Sequence, residues 1–395
     1  MGEWKEFNLD EIYQFSSGLS KPADQFGFGY PFLSFKEVFQ NYFLQRQLTQ
    51  LVNSTENERK SGSIKRGDVF ITRTSETDDD LGMTSVALKD YPDATFNGFT
   101  KRMRPKGVAE IHPEFSGYYF RAKRFQAKIA GMSSVTTRAS LNNGMLAALK
   151  MKLPQLPEQK AIAEVLSSLD DKIDLLHRQN KTLESLAQTL FRQWFIEEAD
   201  DSWEKKTVSD VALINETSID KDYEHKEIEY LDTGSISDNI VSEYQYLSLK
   251  EAPSRAKRIA KNNDIIISTV RPIHRHYGLL KSVKPNTIVS TGFCIVSCTK
   301  IDPHFMYIFL TQKEMTEYFD VIAEGSTSAY PSLKPSDIST VEFKMPPPYL
   351  LAKFSDYAGN AWQKLEVNKE QVRSLTSLRD QLLPKLMNGD IQVKE

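Results

Sequence analysis

Positive charge, the usual mark of a nucleic-acid binder, is not in excess in this chain. Fifty lysines and arginines stand against 53 aspartates and glutamates, a formal net charge of −3. Any nucleic-acid binding must therefore rest on local patches, or on partners that share the phosphate contacts. Cysteine is nearly absent, with two in 395 residues. Cys294 and Cys298 lie four apart in one apolar run, where a strand sets them on one face too far apart to bond easily. They read as buried thiols of a reducing compartment. No apolar run reaches membrane-spanning length, and Glu3, Lys5, Glu6 and Asp10 place charges where a secretory leader is apolar. A soluble, cytoplasmic protein with no membrane partner is expected. No glycine-rich loop ends in Gly-Lys-Ser/Thr, so the ATPase signature is missing. His274 and His276 lack the neighbouring Cys or acidic residues that zinc requires.

Length and repetition are what the chain does have. At 395 residues and 40% hydrophobic, it is expected to form two or three domains. Segments recur in order. Trp4-Lys5-Glu6-Phe7-Asn8-Leu9 returns as Trp203-Glu204-Lys205-Lys206-Thr207-Val208, an offset of 199. Lys65 through Ile71 returns as Lys261 through Ile267 at 196, Gly98-Phe99 as Gly292-Phe293 at 194, and Ile111 through Phe115 as Ile301 through Phe305 at 190. Leu141 through Pro154 matches Leu333 through Pro346 at a steady 192. Each match is weak alone; their shared order is hard to obtain by chance. Each half reads as a mixed α/β globule of about 150 residues, with apolar strands such as Val69-Phe70-Ile71 and Ile265-Ile266-Ile267 and a proline-led aromatic helix.

Each globule ends in prolines, Pro154 and Pro157 in the first and Pro346-Pro347-Pro348 in the second, and a long helical pattern follows. In the first, Ile162, Leu169, Leu176, Leu183 and Leu190 alternate with Leu166, Ile173, Asn180, Ala187 and Trp194. In the second, Phe354, Ala361, Asn368, Leu375 and Leu382 alternate with Ala358, Leu365, Val372, Arg379 and Leu386. That 3–4 alternation predicts a coiled-coil seam. About 38 residues at ~1.5 Å each span roughly 57 Å. The chain crosses a globule between the two helices, which suits an antiparallel pair. Asn180 and Asn368 are expected to sit near one another and to set register.

The helix start Pro157-Glu158-Gln159-Lys160-Ala161-Ile162-Ala163, and the C-terminal run from Leu378 through Leu382-Leu383-Pro384-Lys385-Leu386-Met387-Asn388-Gly389-Asp390-Ile391, resemble the specificity subunit of type I restriction-modification systems. The resemblance covers essentially the whole chain. It implies a fold of two tandem α/β (α+β) target-recognition domains with pseudo-twofold symmetry, joined by two long helices in an antiparallel coiled coil. The expected boundaries are 1–153 and 199–345 for the recognition domains, and 154–198 and 346–395 for the helices. It also implies a non-catalytic, bacterial or archaeal protein that reads a bipartite, asymmetric target in double-stranded DNA. Its partners would be two methyltransferase subunits and restriction or translocation subunits. S-adenosylmethionine, magnesium and ATP would belong to those partners, with no cofactor bound by this chain.

Two reading elements per globule are suggested by unlike contents in matching frames. Between Asp68 and Gly82 lie Thr72, Arg73, Thr74, Ser75 and Glu76. Between Asp264 and Gly278, aligned at the same offset, lie Arg271, His274, Arg275 and His276. Arginine suits guanine edges, glutamate a cytosine amine, and hydroxyls either base or phosphate. Ser133, Ser134 and Arg138 in the first half, and Ser326, Thr327 and Tyr330 in the second, form small polar loops suited to phosphate contact. Lys101 and Arg102 are further candidates. The competing reading is a stand-alone two-lobed DNA methyltransferase or nuclease. Pro347-Pro348-Tyr349 imitates an adenine-methyltransferase tetrapeptide, but Pro346 stands where an amide or carboxylate is needed. Asp337, Glu342 and Lys344 imitate a nuclease triad, but their repeat equivalents are Met145, Lys150 and Lys152. A coiled-coil scaffold without DNA binding would leave the unlike loops unexplained.

Overall fold

The structure, a computed structural model, describes residues 4–75, 81–132, 139–326 and 330–393. The chain divides into two units, 1–175 with 371–395, and 176–370. Each unit therefore takes a globule, the start of the helix that follows it, and the end of the other long helix.

The first unit is organised around an antiparallel sheet with strands in the order Tyr13–Ser17, Thr100–Pro105, Val69–Thr72, Thr84–Val86. The second unit repeats it as Ala212–Ile214, Phe293–Cys298, Ile265–Ser268, Tyr277–Leu279. In both, the strand before the helix pairs antiparallel with the unit's first strand: Lys5–Asn8 with Lys150–Leu153, and Lys205–Thr207 with Glu342–Lys344. A further sheet differs between units, with strands Gln50–Val52, Phe26–Leu33 and Thr95–Phe96 in one and four strands in the other. Local chemistry explains the shared parts. The central strand is entered through a tight turn in which Gly67 (φ 87°) and Asn263 (φ 71°) take left-handed backbone, open to glycine and tolerated by asparagine. Asp68 and Asp264 then accept from the amides of Lys65 and Lys261, each at 2.7 Å. Proline opens the aromatic helices Pro113–Arg121 and Pro303–Thr311.

Strand pairing corrects two of the sequence matches. Phe70 faces Ser85 and Ile266 faces Gly278, so Ser85, not Gly82, occupies the place of Gly278. The loop between these strands is thus shorter in the second unit. Arg73 N donates to Phe99 O and Thr269 N to Gly292 O, so Phe99, not Gly98, matches Gly292. Sequence similarity cannot see such slips, because register is set across strands.

The long helices span Leu156–Arg192, closed by a π-helical turn at Gln193–Glu197, and Pro348–Asn388. Pro384 lies inside the second helix, which stops at Gly389 in left-handed backbone. Within the second unit, Asn180 meets Asn368 at 2.8 Å and Phe191 meets Phe354 at 6.0 Å between ring centres, so the two segments run antiparallel. Ala187, Phe191 and Phe195 share a core there with Phe354, Ala358 and Leu365. In the first unit, Ile162 and Leu166 share a core with Leu383, Leu386 and Met387. The expected seam is thus present, and its two asparagines meet. Cys294 is buried and Cys298 half-buried, both free; burial pushes each thiol up to about 12, so neither is a nucleophile at neutral pH. Among the described residues, no helix is long and apolar enough to cross a membrane.

Candidate nucleic-acid interface

In each unit the loop after the central strand is tied to the loop that follows the aromatic helices. In the second unit Leu333 N donates to Thr269 O at 2.7 Å, Arg271 N donates to Pro331 O at 3.1 Å, and Val270 bridges Ser332. In the first, Leu141 N donates to Arg73 O at 2.8 Å, and Thr74–Ser75 pairs with Ala139–Ser140. In the second unit the two loops expected to act separately are therefore joined into one surface.

The second unit defines its surface most fully. Arg271 and Arg275 flank the short turn Pro272–His274, both in left-handed backbone at φ 47° and 57°. Such a conformation costs a non-glycine residue of order 1–3 kcal/mol and persists only where surroundings enforce it. Arg275 supplies the enforcement. Its Nε lies 2.6 Å from Asp238 Oδ1 and donates to the Tyr277 hydroxyl at 3.0 Å. Burial disfavours its charge, but Tyr277 and Asp238 outweigh that and raise its pKa. The turn is also held where Ile273 N donates to Asp320 Oδ1, at 3.3 Å. His276 is engaged as well, its Nδ1 2.6 Å from Ile236 O. Arg271 and His274 are exposed. The Arg271 guanidinium lies 5.6 Å over the ring of Tyr330, itself 63% exposed. Ser326 closes the neighbouring turn, its Oγ accepting from Ser332 N at 3.3 Å.

The first unit uses its candidates differently. Thr72 is fully buried and its Oγ1 accepts from Met83 N at 2.9 Å. Arg73 and Thr74 are half-buried at the loop base. Lys101 is 6% exposed and donates to Asn143 Oδ1 at 2.6 Å; burial, and then Arg73, hold its pKa below the usual lysine range. Arg102 is 7% exposed, donates to the carbonyls of Ser61 and Ser63, and lies over the Phe96 ring. Strand pairing matches these two cations to Cys294 and Ile295, so both serve inside the sheet. Ser75 contributes backbone pairing. Glu76, Ser133, Ser134, Arg138 and Thr327 lie outside the described residues.

Sequence reasoning missed two features. Phe99, 56% exposed, sits beside Arg73 through the Arg73 N–Phe99 O bond. The strand Phe26–Leu33 also displays Phe26, Phe28 and Tyr30, with the Arg59 guanidinium 3.7 Å over the Tyr30 ring. Its signal was the alternation Phe26-Gly27-Phe28-Gly29-Tyr30, whose glycines adopt φ 95° and 96° and form an irregularity opposite Val52. Among the described residues, no cluster of three or more His, Cys, Asp or Glu is placed to hold a metal.

The two units thus carry unlike loops on equivalent strand frames. Residues 1–185 match the family model described as the type I restriction modification DNA specificity domain. The MjaIX specificity subunit of Methanocaldococcus jannaschii is 22% identical, with 98% of this chain and 93% of that protein covered. The HindI specificity subunit of Haemophilus influenzae is 22% identical, with 99% of this chain and all of that protein covered. The crystal structure of a type I restriction-modification S subunit from M. genitalium shares the fold, with a TM-score of 0.60 at 15% identity over 97% of this chain and 96% of that one. The first 185 residues thus match a DNA specificity domain, and nearly the whole chain is similar to specificity subunits of type I restriction-modification systems. Subunits of this family recognise DNA and are non-catalytic.

Proposed function

We propose that this chain reads a bipartite, asymmetric target in double-stranded DNA, one short half-site per unit, with an unread gap between. The observation that carries this reading is the pair of matching strand frames with unlike loops: an αL–turn–αL loop bearing Arg271 and His274 in one, a longer loop beginning at Arg73 in the other. A net charge of −3 leaves a deficit of phosphate contacts. We infer that two methyltransferase subunits docked on the helices fill that deficit, and that restriction or translocation subunits complete the assembly. S-adenosylmethionine, magnesium and ATP act in those partners, and this chain binds no cofactor. The complex works in the cytoplasm of a bacterial or archaeal cell.

The test is to reconstitute the chain with its methyltransferase subunits and map methylated adenines by single-molecule sequencing. Two unlike half-sites separated by a fixed gap are expected; a continuous or palindromic motif would refute the reading. Arg271→Ala is expected to weaken binding about 5- to 150-fold, the value of one bidentate contact to a base at about 1–3 kcal/mol. Competition gel shifts with singly substituted targets should show relaxed specificity at one position of one half-site, with the other half-site unchanged. A uniform loss over all sequences would instead make Arg271 a phosphate contact.

A further inference from the structure

The long helices carry one apolar seam twice. At the offset of 192 set by Leu141 and Leu333, Ile162 matches Phe354, Leu169 matches Ala361, Ile173 matches Leu365 and Leu183 matches Leu375. An apolar pattern of this kind does not tell the first helix to pair with the second rather than with the first helix of another copy. The polar seam residues, by contrast, do not repeat. Asp170 matches Trp362, Arg379 matches Ala187, Asn180 matches Val372, and Asn368 matches Leu176.

These polar residues meet each other across the seam. In the first unit Asp170 Oδ1 accepts from Arg379 Nη1 at 2.8 Å, and its other oxygen accepts from the Tyr118 hydroxyl at 2.7 Å. In the second unit Asn180 Oδ1 accepts from Asn368 Nδ2 at 2.8 Å. Asn368 is wholly buried, and its own Oδ1 is buried without a hydrogen-bond partner. A buried amide left half-satisfied stabilises poorly, so stability does not account for it.

We propose that the Asp170–Arg379 and Asn180–Asn368 contacts are a pairing lock, which commits the first helix to the second and excludes the like helix of a second copy. In a pair of first helices, Asp170 would face Ala187 and Asn180 would face Leu176. In a pair of second helices, Arg379 would face Trp362 and Asn368 would face Val372. Asn368 would then be desolvated opposite an apolar side chain, and the partly buried Asp170, Asn180 and Arg379 would each lose the partner across the seam, Arg379 keeping only Asp380 of its own helix. The tether through the second globule makes the favoured partner the helix of the same chain. The proposal concerns pairing alone and does not depend on what the units bind.

A protease site in the exposed connection at 200–202 allows the folded full-length protein to be cut once after purification. Native mass spectrometry after prolonged incubation then reads how the N- and C-terminal pieces pair. The native seam is expected to give unlike pairs only. Asp170→Ala, Asn180→Leu, Asn368→Leu and Arg379→Ala together are expected to raise like pairs at least tenfold. Abundant like pairs in the native protein, or only unlike pairs with the apolar seam, overturn the lock. If the fourfold variant does not fold, Asp170→Ala/Arg379→Ala and Asn180→Leu/Asn368→Leu are read separately. Each should raise like pairs above the native level, and no rise in either has the same negative meaning.

Discussion

Asp68→Ala is expected to cost the first unit about 3–5 kcal/mol, the usual effect of removing one member of a buried ion pair. Asp264→Ala, at the equivalent turn, is expected to cost the second unit only about 1–3 kcal/mol, the penalty for unsatisfied hydrogen bonds. Both carboxylates are buried and both close the same turn. Their remaining partners differ. Asp68 receives Arg104 Nε at 2.7 Å and Nη2 at 2.6 Å, so its loss leaves a half-buried guanidinium with only Ser63 to bond, among the described residues, and no ion-pair partner. Strand pairing puts Ser297 in the place of Arg104, and its hydroxyl donates to Asp264 at 2.6 Å. With no cation bonded to it, Asp264 has its pKa raised by burial. A carboxyl raised in this way binds its proton more readily in the folded state. Its contribution to stability is therefore full below the ordinary aspartate range and lost as pH rises through the folded-state value. Hydrogen exchange of the Val69–Thr72 and Ile265–Ser268 amides measures the two units separately, as whole-chain melting of a two-unit protein does not. Equal losses in the two units would show that the guanidinium is not what distinguishes them.

The second large effect is at Phe305. Its ring is 2% exposed and lies 5.1 Å from Phe191, 4.9 Å from Phe195, 5.9 Å from Phe343 and 6.4 Å from Phe354, centre to centre. It therefore joins the end of the first long helix, the strand before the second, and the start of the second. Phe305→Ala is expected to cost about 3–5 kcal/mol, transfer and cavity together, and to expose the amides of both helix segments in the second unit. Phe305→Leu should recover most of that loss. At the matching position Phe115 meets Trp4 at 6.2 Å and Tyr119 at 5.9 Å, a smaller aromatic set, so Phe115→Ala should cost the first unit less. Hydrogen exchange of the Val69–Thr72 and Ile265–Ser268 amides in the two variants reports the order. A milder loss at Phe305 than at Phe115 would contradict this account of what anchors the helices.

Much of this architecture was legible before any coordinates. The repeat, the strands Val69–Thr72 and Ile265–Ser268, the proline-led aromatic helices and the seam through Asn180 and Asn368 all follow from period and punctuation, which are local properties of a chain. The candidate surface of the second unit was legible only as two separate loops. Its assembly depends on hydrogen bonds such as Leu333 N to Thr269 O, between segments far apart in sequence.

The amino-acid order alone determined that one unit is used twice, that two amphipathic rods follow the globules, and that the loops in the matching frames differ. Tertiary structure alone decided which cations face outward. Lys101 and Arg102 read as a basic patch, yet cross-strand pairing turns them into the sheet. Arg275 reads like Arg271 and both are exposed, yet Asp238, distant in the chain, pairs with Arg275. The physical reason is that a charged side chain's role is set by the opposite charges and the water it can reach, and both are fixed only when remote segments meet.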